Sequence, residues 1–223
     1  MTISSATMAR LPGLDTTLAT VERIASAPTA PYHEARAMRA IASELATLGI
    51  AGELDPYGQL HARVHRGAAA HAMALVAHTD HPAFEVTGAS GHEGRARVLG
   101  GFRAHAFDRD VPVLVCDDGD GAPFPATLDD FRPAIDVVHN SPGDCRIRAQ
   151  RPLATGQWAV LDLPAFEIRG DELHLRAADD LALCAVAVLT LATLRDAGGA
   201  HDVRAVFTRG EETGLYGARL AAE

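Results

Sequence analysis

The chain has 223 residues, with 29 acidic side chains against 20 basic ones, for a formal net charge of −9. Every basic residue is an arginine, which excludes a Schiff-base lysine, a Walker-A lysine and a Ser–Lys nucleophile pair. The diffuse acidic balance argues against nucleic acid, whose binding needs clustered positive charge.

Two helices are expected first. Leu18, Val21 and Ile24 recur at helical spacing, and so do Ala37, Ile41, Leu45 and Leu48. The prolines of Ala-Pro-Thr-Ala-Pro-Tyr separate them, and Gly49 is a stop signal. Asp55-Pro56-Tyr57-Gly58 then reads as a turn between two short strands. The run around Met73, Leu75 and Val76 lacks alternation, as in a central strand covered on both faces. From 84 to 168 the chain is cut into short β-like runs (Arg-Ala-Arg-Val-Leu, Val-Pro-Val-Leu-Val-Cys, Ala-Ile-Asp-Val-Val-His, Cys-Arg-Ile-Arg-Ala and Trp-Ala-Val-Leu-Asp-Leu). This predicts a small β domain inserted into a larger α/β one, dividing the chain at 1–83, 84–168 and 169–223. After 169 come a strand and loop, a helix apolar nearly all round and so expected to be buried, a second strand and the start of another helix.

The longest apolar run, residues 181–194, falls short of the ~20 residues of a membrane span. The N-terminus does not read as a signal peptide. Three cysteines without a Cys-x-x-Cys pair read as reduced thiols, with Cys184 as plain core, and the cytoplasm is the expected compartment.

Three polar clusters follow strands, where open α/β sheets place their ligand sites. They are His78-Thr79-Asp80, Asp179-Asp180 and Glu211-Glu212. In extended backbone, residues i and i+2 share a side, so Asp80 can orient the His78 imidazole. Taken singly, each cluster has a plain structural explanation: a common His-x-Asp, a helix N-cap, a solvated face. Together, one imidazole and four carboxylates make a good two-metal hydrolase site. The Cys116–Gly121 acidic run does not fit EF-hand spacing and reads as a hairpin turn. His61, His65 and His71 are expected to face solvent. Ser90 and Ser141 lack a Gly-x-Ser-x-Gly context.

At these residues the sequence resembles the glutamyl or deblocking aminopeptidases, co-catalytic metallopeptidases that include the tetrahedral (TET) aminopeptidases. The resemblance runs through Asp55-Pro56-Tyr57-Gly58-Gln59-Leu60, the Ala-Leu-Val-Ala-His-Thr-Asp strand, Leu99-Gly100-Gly101, residues 156–163, Arg-Ala-Ala-Asp-Asp-Leu-Ala-Leu-Cys-Ala and, most specifically, Phe-Thr-Arg-Gly-Glu-Glu-Thr-Gly-Leu-Tyr-Gly-Ala-Arg. It implies a zinc-peptidase-like α/β fold: a mixed central sheet flanked by helices, incomplete at the C-terminus, with a small β-barrel-like insert. It also implies roles. His78, Asp179 and Glu212 would bind two divalent ions, zinc or cobalt, with Asp179 bridging them. Glu211 would be the general base, and Asp80 would orient His78. The bond after Asp179 would be cis. The substrate would be a peptide trimmed from its N-terminus, and the full-length protein a homo-oligomer with no nucleic-acid or membrane partner.

The sequence departs from the family at Leu181, where arginine is usual, and at His81-Pro82. Two further ligands expected downstream have no counterpart before residue 223, so weak activity is expected of this chain alone, with apolar surface exposed at residues 203–207 and on the buried helix. A deacetylase or carboxypeptidase-like amidohydrolase shares the His-x-Asp and Glu-Glu layout but carries its insert later. A non-catalytic peptide-binding or assembly remnant is the other alternative.

Overall fold

The computed structural model describes residues 11–69, 71–133 and 143–222. The expected strand at 134–139 and Ser141 lie outside them.

Both early helices form, α1 at Leu14–Ala25 and α2 at Ala35–Thr47. Each buries the stripe that defined it: Val21 and Ile24 on α1, Ala37, Ile41 and Leu45 on α2. The α/β layer is a sheet of order β1-β2-β12-β3, built from Gly52–Leu54, Leu60–Arg66, His201–Thr208 and Met73–His78. β12 runs antiparallel to β2 and parallel to β3, so the sheet is mixed. Its pleat sends Leu60, Ala62, Val64, Val203, Ala205 and Phe207 into one core with α1, α2 and the long helix α3, Ala178–Asp196. A six-residue helix, α4 at Tyr216–Ala221, follows the loop after β12.

Between β3 and α3 the chain closes a six-stranded barrel of order β4-β5-β8-β7-β6-β9. Its strands are Ala83–Ser90, Glu93–Leu99, Asp144–Ala149, Phe124–Arg132, Val111–Cys116 and Trp158–Leu161. A separate core of Phe84, Val86, Val113, Val115, Leu128 and Ile147 fills it. A 3-10 turn at Ala104–Phe107 adds Phe107, which stacks with Phe131. A hairpin, β10 (Glu167–Arg169) with β11 (Glu172–His174), leads to α3.

Three expectations are corrected. β3 is the edge of the sheet among the described residues, not a covered central strand, and Met73 and Val76 are 62% and 58% exposed. An unalternating apolar run gives no information on whether neighbours cover it. Helix α3 is not buried all round. Leu183 (57% exposed) and Val186 lie on a side that no described element covers, which is the exposed apolar surface expected on this helix. The apolar residues of 203–207 are buried, with Val203, Ala205 and Phe207 in the core they share with α3. Two barrel strands, β4 and β7, were not among the predicted runs. Their glycine, aspartates and proline obscure the strand pattern. The acidic run after Cys116 is the connection between β6 and β7, as expected.

Candidate metal centre

The parallel pairing of β12 with β3 sets Thr208 beside His78. The loops leaving both strands therefore emerge at the same sheet end, as does the start of α3. There the polypeptide is not helical: Asp179 has φ −89° and ψ 104°, and Asp180 has φ −126° and ψ 18°. The Asp179–Asp180 peptide is cis, as the resemblance implied.

His78 is held on every side. Its backbone N–H donates to Asp180 Oδ2 (3.2 Å), and its carbonyl accepts from Cys184 Sγ (3.3 Å). Nδ1 lies 3.2 Å from the Asp80 carbonyl and 3.6 Å from its carboxylate. Nε2 points to Asp179 Oδ1 at 3.0 Å, with Glu211 Oε2 at 3.9 Å. Asp80 thus meets the ring mainly through its carbonyl. Its fully buried carboxylate accepts the backbone N–H groups of Glu211 and Glu212, each at 3.0 Å. One aspartate ties the His78 strand end to the Glu-Glu turn.

The electrostatics follow from crowding acids around a single imidazole. Burial alone would lower the His78 pKa, but Asp80, Asp179 and Asp180 raise it to about 9. Burial, then the charges of Glu211 and Asp80, push Glu212 up to about 7. Burial also raises Asp180. Burial would raise Asp80 as well, yet its bonds from His78, Glu211 and Glu212 hold it below the usual carboxylate range. His81 is lowered by burial, and its Nδ1 lies 3.0 Å from the Asp179 carbonyl.

The donor set fits a divalent cation. Ligand atoms of His78, Asp179 and Asp180 lie within 4.8 Å of one another, and the Asp179 side chain is 84% exposed. An imidazole with clustered carboxylates is a ligand chemistry suited to a divalent metal ion. Burial and the neighbouring acids work against the charged forms of Asp180 and Glu212, a penalty that a bound cation would relieve.

The sequence offered no sign of a second layer behind the Glu-Glu turn. Glu34, at the start of α2, is 0% exposed. Its carboxylate accepts from Arg209 Nε (2.8 Å), Gly210 N (3.1 Å) and Tyr32 N (2.9 Å). Arg209 also donates to the Tyr57 and Tyr32 carbonyls, linking the Asp55 turn to the site. Gly100, in the glycine pair, has φ +81°, and a Cβ there would lie 3.1 Å from Glu212 Cβ. His61 is half-buried and bonds to Asp55 rather than facing solvent as expected, while His65 and His71 are exposed. The three cysteines are free and buried. No helix among the described residues is long and apolar enough to cross a membrane.

Residues 144–223 match the M42 glutamyl aminopeptidase family. No curated protein matches the chain in sequence. Among solved structures, a TET aminopeptidase from a marine-sediment Thaumarchaeota archaeon superposes with a TM-score of 0.77 at 17% identity, over 93% of this chain and 62% of that one. An aminopeptidase from Desulfurococcus kamchatkensis gives 0.73 at 19% identity, over 93% and 60%. The Pyrococcus horikoshii TET1 peptidase, which can assemble into a tetrahedron or a large octahedral shell, gives 0.69 at 18%, over 93% and 65%. The chain therefore spans less than two thirds of the length of these structures. The resemblance first carried by the motifs is met twice: by the M42 glutamyl aminopeptidase family over residues 144–223, and by the fold of TET aminopeptidases over more than nine-tenths of the chain.

Proposed function

We propose that the chain carries the first part of a metal-dependent aminopeptidase centre, acting on the N-terminal end of peptides. The observation that supports it is the convergence of His78, Asp179, Asp180, Glu211 and Glu212 at one sheet end, with Asp80 joining the two strand ends. His78, Asp179 and Glu212 are the residues assigned to hold two divalent ions, zinc or cobalt. Such ions, when bound, supply water activation and polarisation of the scissile carbonyl. Glu211 is assigned as the general base, taking a proton from the attacking water and returning it to the leaving amine. Its position suits the task, because its backbone is fixed by Asp80 while its side chain stays partly open to solvent. Asp80 keeps the His78 ring oriented. The acidic surroundings favour a protonated α-amine, which is consistent with trimming from the N-terminus. Homo-oligomerisation of the full-length protein and a cytoplasmic setting belong to the same reading.

The test is metal binding. Elemental analysis after loading with zinc or cobalt is expected to find divalent ion in the wild type, lost with a chelator. Asp179→Asn and His78→Ala are expected to weaken binding at least about tenfold. Glu211→Gln is expected to keep the metal and abolish any peptidase rate on aminoacyl anilides. A wild type that holds no divalent ion would sink the proposal, and a fully active Glu211→Gln would overturn the assigned base.

A further inference from the structure

His81 stands where the sequence departs from the aminopeptidase pattern, yet the fold keeps it beside the candidate centre, three residues after His78. The chain leaves the sheet at His78 and enters the barrel at Ala83. Along that crossing the backbone is pinned on both sides of His81. The Thr79 N–H and hydroxyl both donate to the Thr208 carbonyl, at 2.9 Å each. The Thr29 hydroxyl donates to the Thr79 carbonyl at 2.6 Å. Beyond His81, Pro82 is buried and Ala83 pairs with Leu99. A residue before proline is itself confined to extended backbone. His81 is therefore a half-buried ring on a fixed stem.

That ring reaches across to the start of α3, where its Nδ1 lies 3.0 Å from the Asp179 carbonyl oxygen. A carbonyl only accepts, so Nδ1 is the donor and carries the hydrogen. Asp179 has need of such a hold. It lies outside helical geometry, with φ −89° and ψ 104°, and its side chain is 84% exposed. Among the described residues its carboxylate has one bonding partner, His78 Nε2 at 3.0 Å. That nitrogen is the atom a cation would claim. The Asp179 carboxylate would then lose its only side-chain anchor when it most has to stay in place, and its backbone would have to hold it. Asp180 is tied differently, through its own carboxylate to the His78 N–H at 3.2 Å.

We propose that His81 is a positioning residue for the metal centre: its Nδ1–H grips the Asp179 carbonyl and so keeps the Asp179 carboxylate aimed at the cation. Ligands depend on such outer bonds for their orientation. In the commoner arrangement a backbone carbonyl orients a ligating imidazole. Here the imidazole is the fixed partner, and the carbonyl belongs to the ligand. The role rests on the function proposed above, since it takes Asp179 as a ligand. The bond itself does not, since it forms without metal.

The experiment compares His81→Asn, His81→Gln and His81→Ala with wild type in the 223-residue protein. Asparagine offers a side-chain N–H at nearly the reach of Nδ1, glutamine offers one at nearly the reach of Nε2, and alanine offers none. Zinc affinity is read by competition with a chromogenic chelator, with no substrate present. His81→Ala and His81→Gln are expected to bind zinc about tenfold more weakly than wild type, and His81→Asn to restore the affinity. Should His81→Ala fail to fold, the asparagine–glutamine pair decides alone, because the two differ by one methylene. A second readout needs no metal. In excess chelator, long-range proton–nitrogen correlation of the imidazoles is expected to show a hydrogen on His81 Nδ1, identified by its loss in His81→Asn. The role is overturned by an Nδ1 without hydrogen, by a glutamine variant that holds zinc as tightly as wild type, or by an asparagine variant no better than glutamine. A wild type that holds no zinc brings down the proposed function and this role with it. A wild type that holds zinc beside indifferent variants brings down the role of His81 alone.

Discussion

His78 and Glu212 are both pushed upward, and that gives the metal-free protein a distinctive pH dependence. His78 sits at about 9 in the fold against 6.5 in an unfolded chain. Its contribution to stability is complete below pH 6.5 and is lost as pH rises through 9. The gap corresponds to a ceiling of roughly 3 kcal/mol. Glu212, at about 7 against 4.5, acts in the same direction. The unfolded chain ionises it first, so its penalty on the fold grows between pH 4.5 and 7. The melting temperature measured in chelator is therefore expected to fall from pH 6.5 to pH 9, whereas below pH 6.5 the lowered His81 works in the opposite direction. His78→Gln should remove the part above pH 6.5. A melting temperature flat or rising between pH 6.5 and pH 9 in wild type would contradict the assigned environment. The ingredients of this site were legible, because strand ends and two-residue spacing bring polar side chains to one place. The tie from Asp80 to the Glu-Glu amides was not, since no local pattern shows which backbone donors a buried carboxylate meets. Nor was Glu34, whose bond to Arg209 spans 175 positions.

At the scale of elements, α4 depends on one close approach. A Cβ on Gly217 would lie 2.5 Å from the Arg209 carbonyl oxygen, 2.5 Å from Gln59 Oε1 and 2.6 Å from Arg209 N. Two of these atoms are backbone and cannot step aside. The Gly217 N–H also donates to the Arg209 carbonyl at 2.9 Å. Gly217→Ala is thus expected to displace α4 from the end of β12, with a loss of about 1–3 kcal/mol in chemical denaturation. Because Arg209 leads directly into Gly210 and Glu211, divalent-ion affinity should fall as well. Unchanged stability would mean that α4 is not seated there. The same scale shows where sequence pattern works. Helical stripes located α1 and α2, because each helix meets one core and one solvent face. The pattern failed for β3 and α3, whose apolar runs are the same whether or not a neighbour covers them. It failed also for β4 and β7, where Gly88, Pro125, Asp129 and Asp130 interrupt the strand pattern.

For the whole molecule, what matters is how the barrel is fixed to the layer that bears the site. Beside the two separate cores is a small third one, a seam that joins Ala30, before α2, to Ala83, Cys116, Trp158 and Val160 of the barrel strands. Around it, the β6–β7 connection grips α2. Arg36 Nη2 donates to the carbonyls of Asp117, Gly119 and Gly121 at 3.2, 2.5 and 2.8 Å. His33 stacks on Trp158 at 5.4 Å, and both rings bond to Asp118. The barrel also touches the site directly, since a Cβ on Gly100 would lie 3.1 Å from Glu212 Cβ and 3.3 Å from Pro82 Cα. Arg36→Ala would leave three carbonyls without their donor, at a cost of about 1–3 kcal/mol. Trp158 is the only tryptophan, and its indole lies in the seam, so its fluorescence reports on that contact. In Arg36→Ala the fluorescence transition on heating is expected to precede the loss of far-ultraviolet circular dichroism, since each core can outlast the contact between them. Wild type should show the two transitions together. Coincident transitions in the variant, at the wild-type midpoint, would show that the barrel is held by its buried contacts alone and that the arginine grip is incidental.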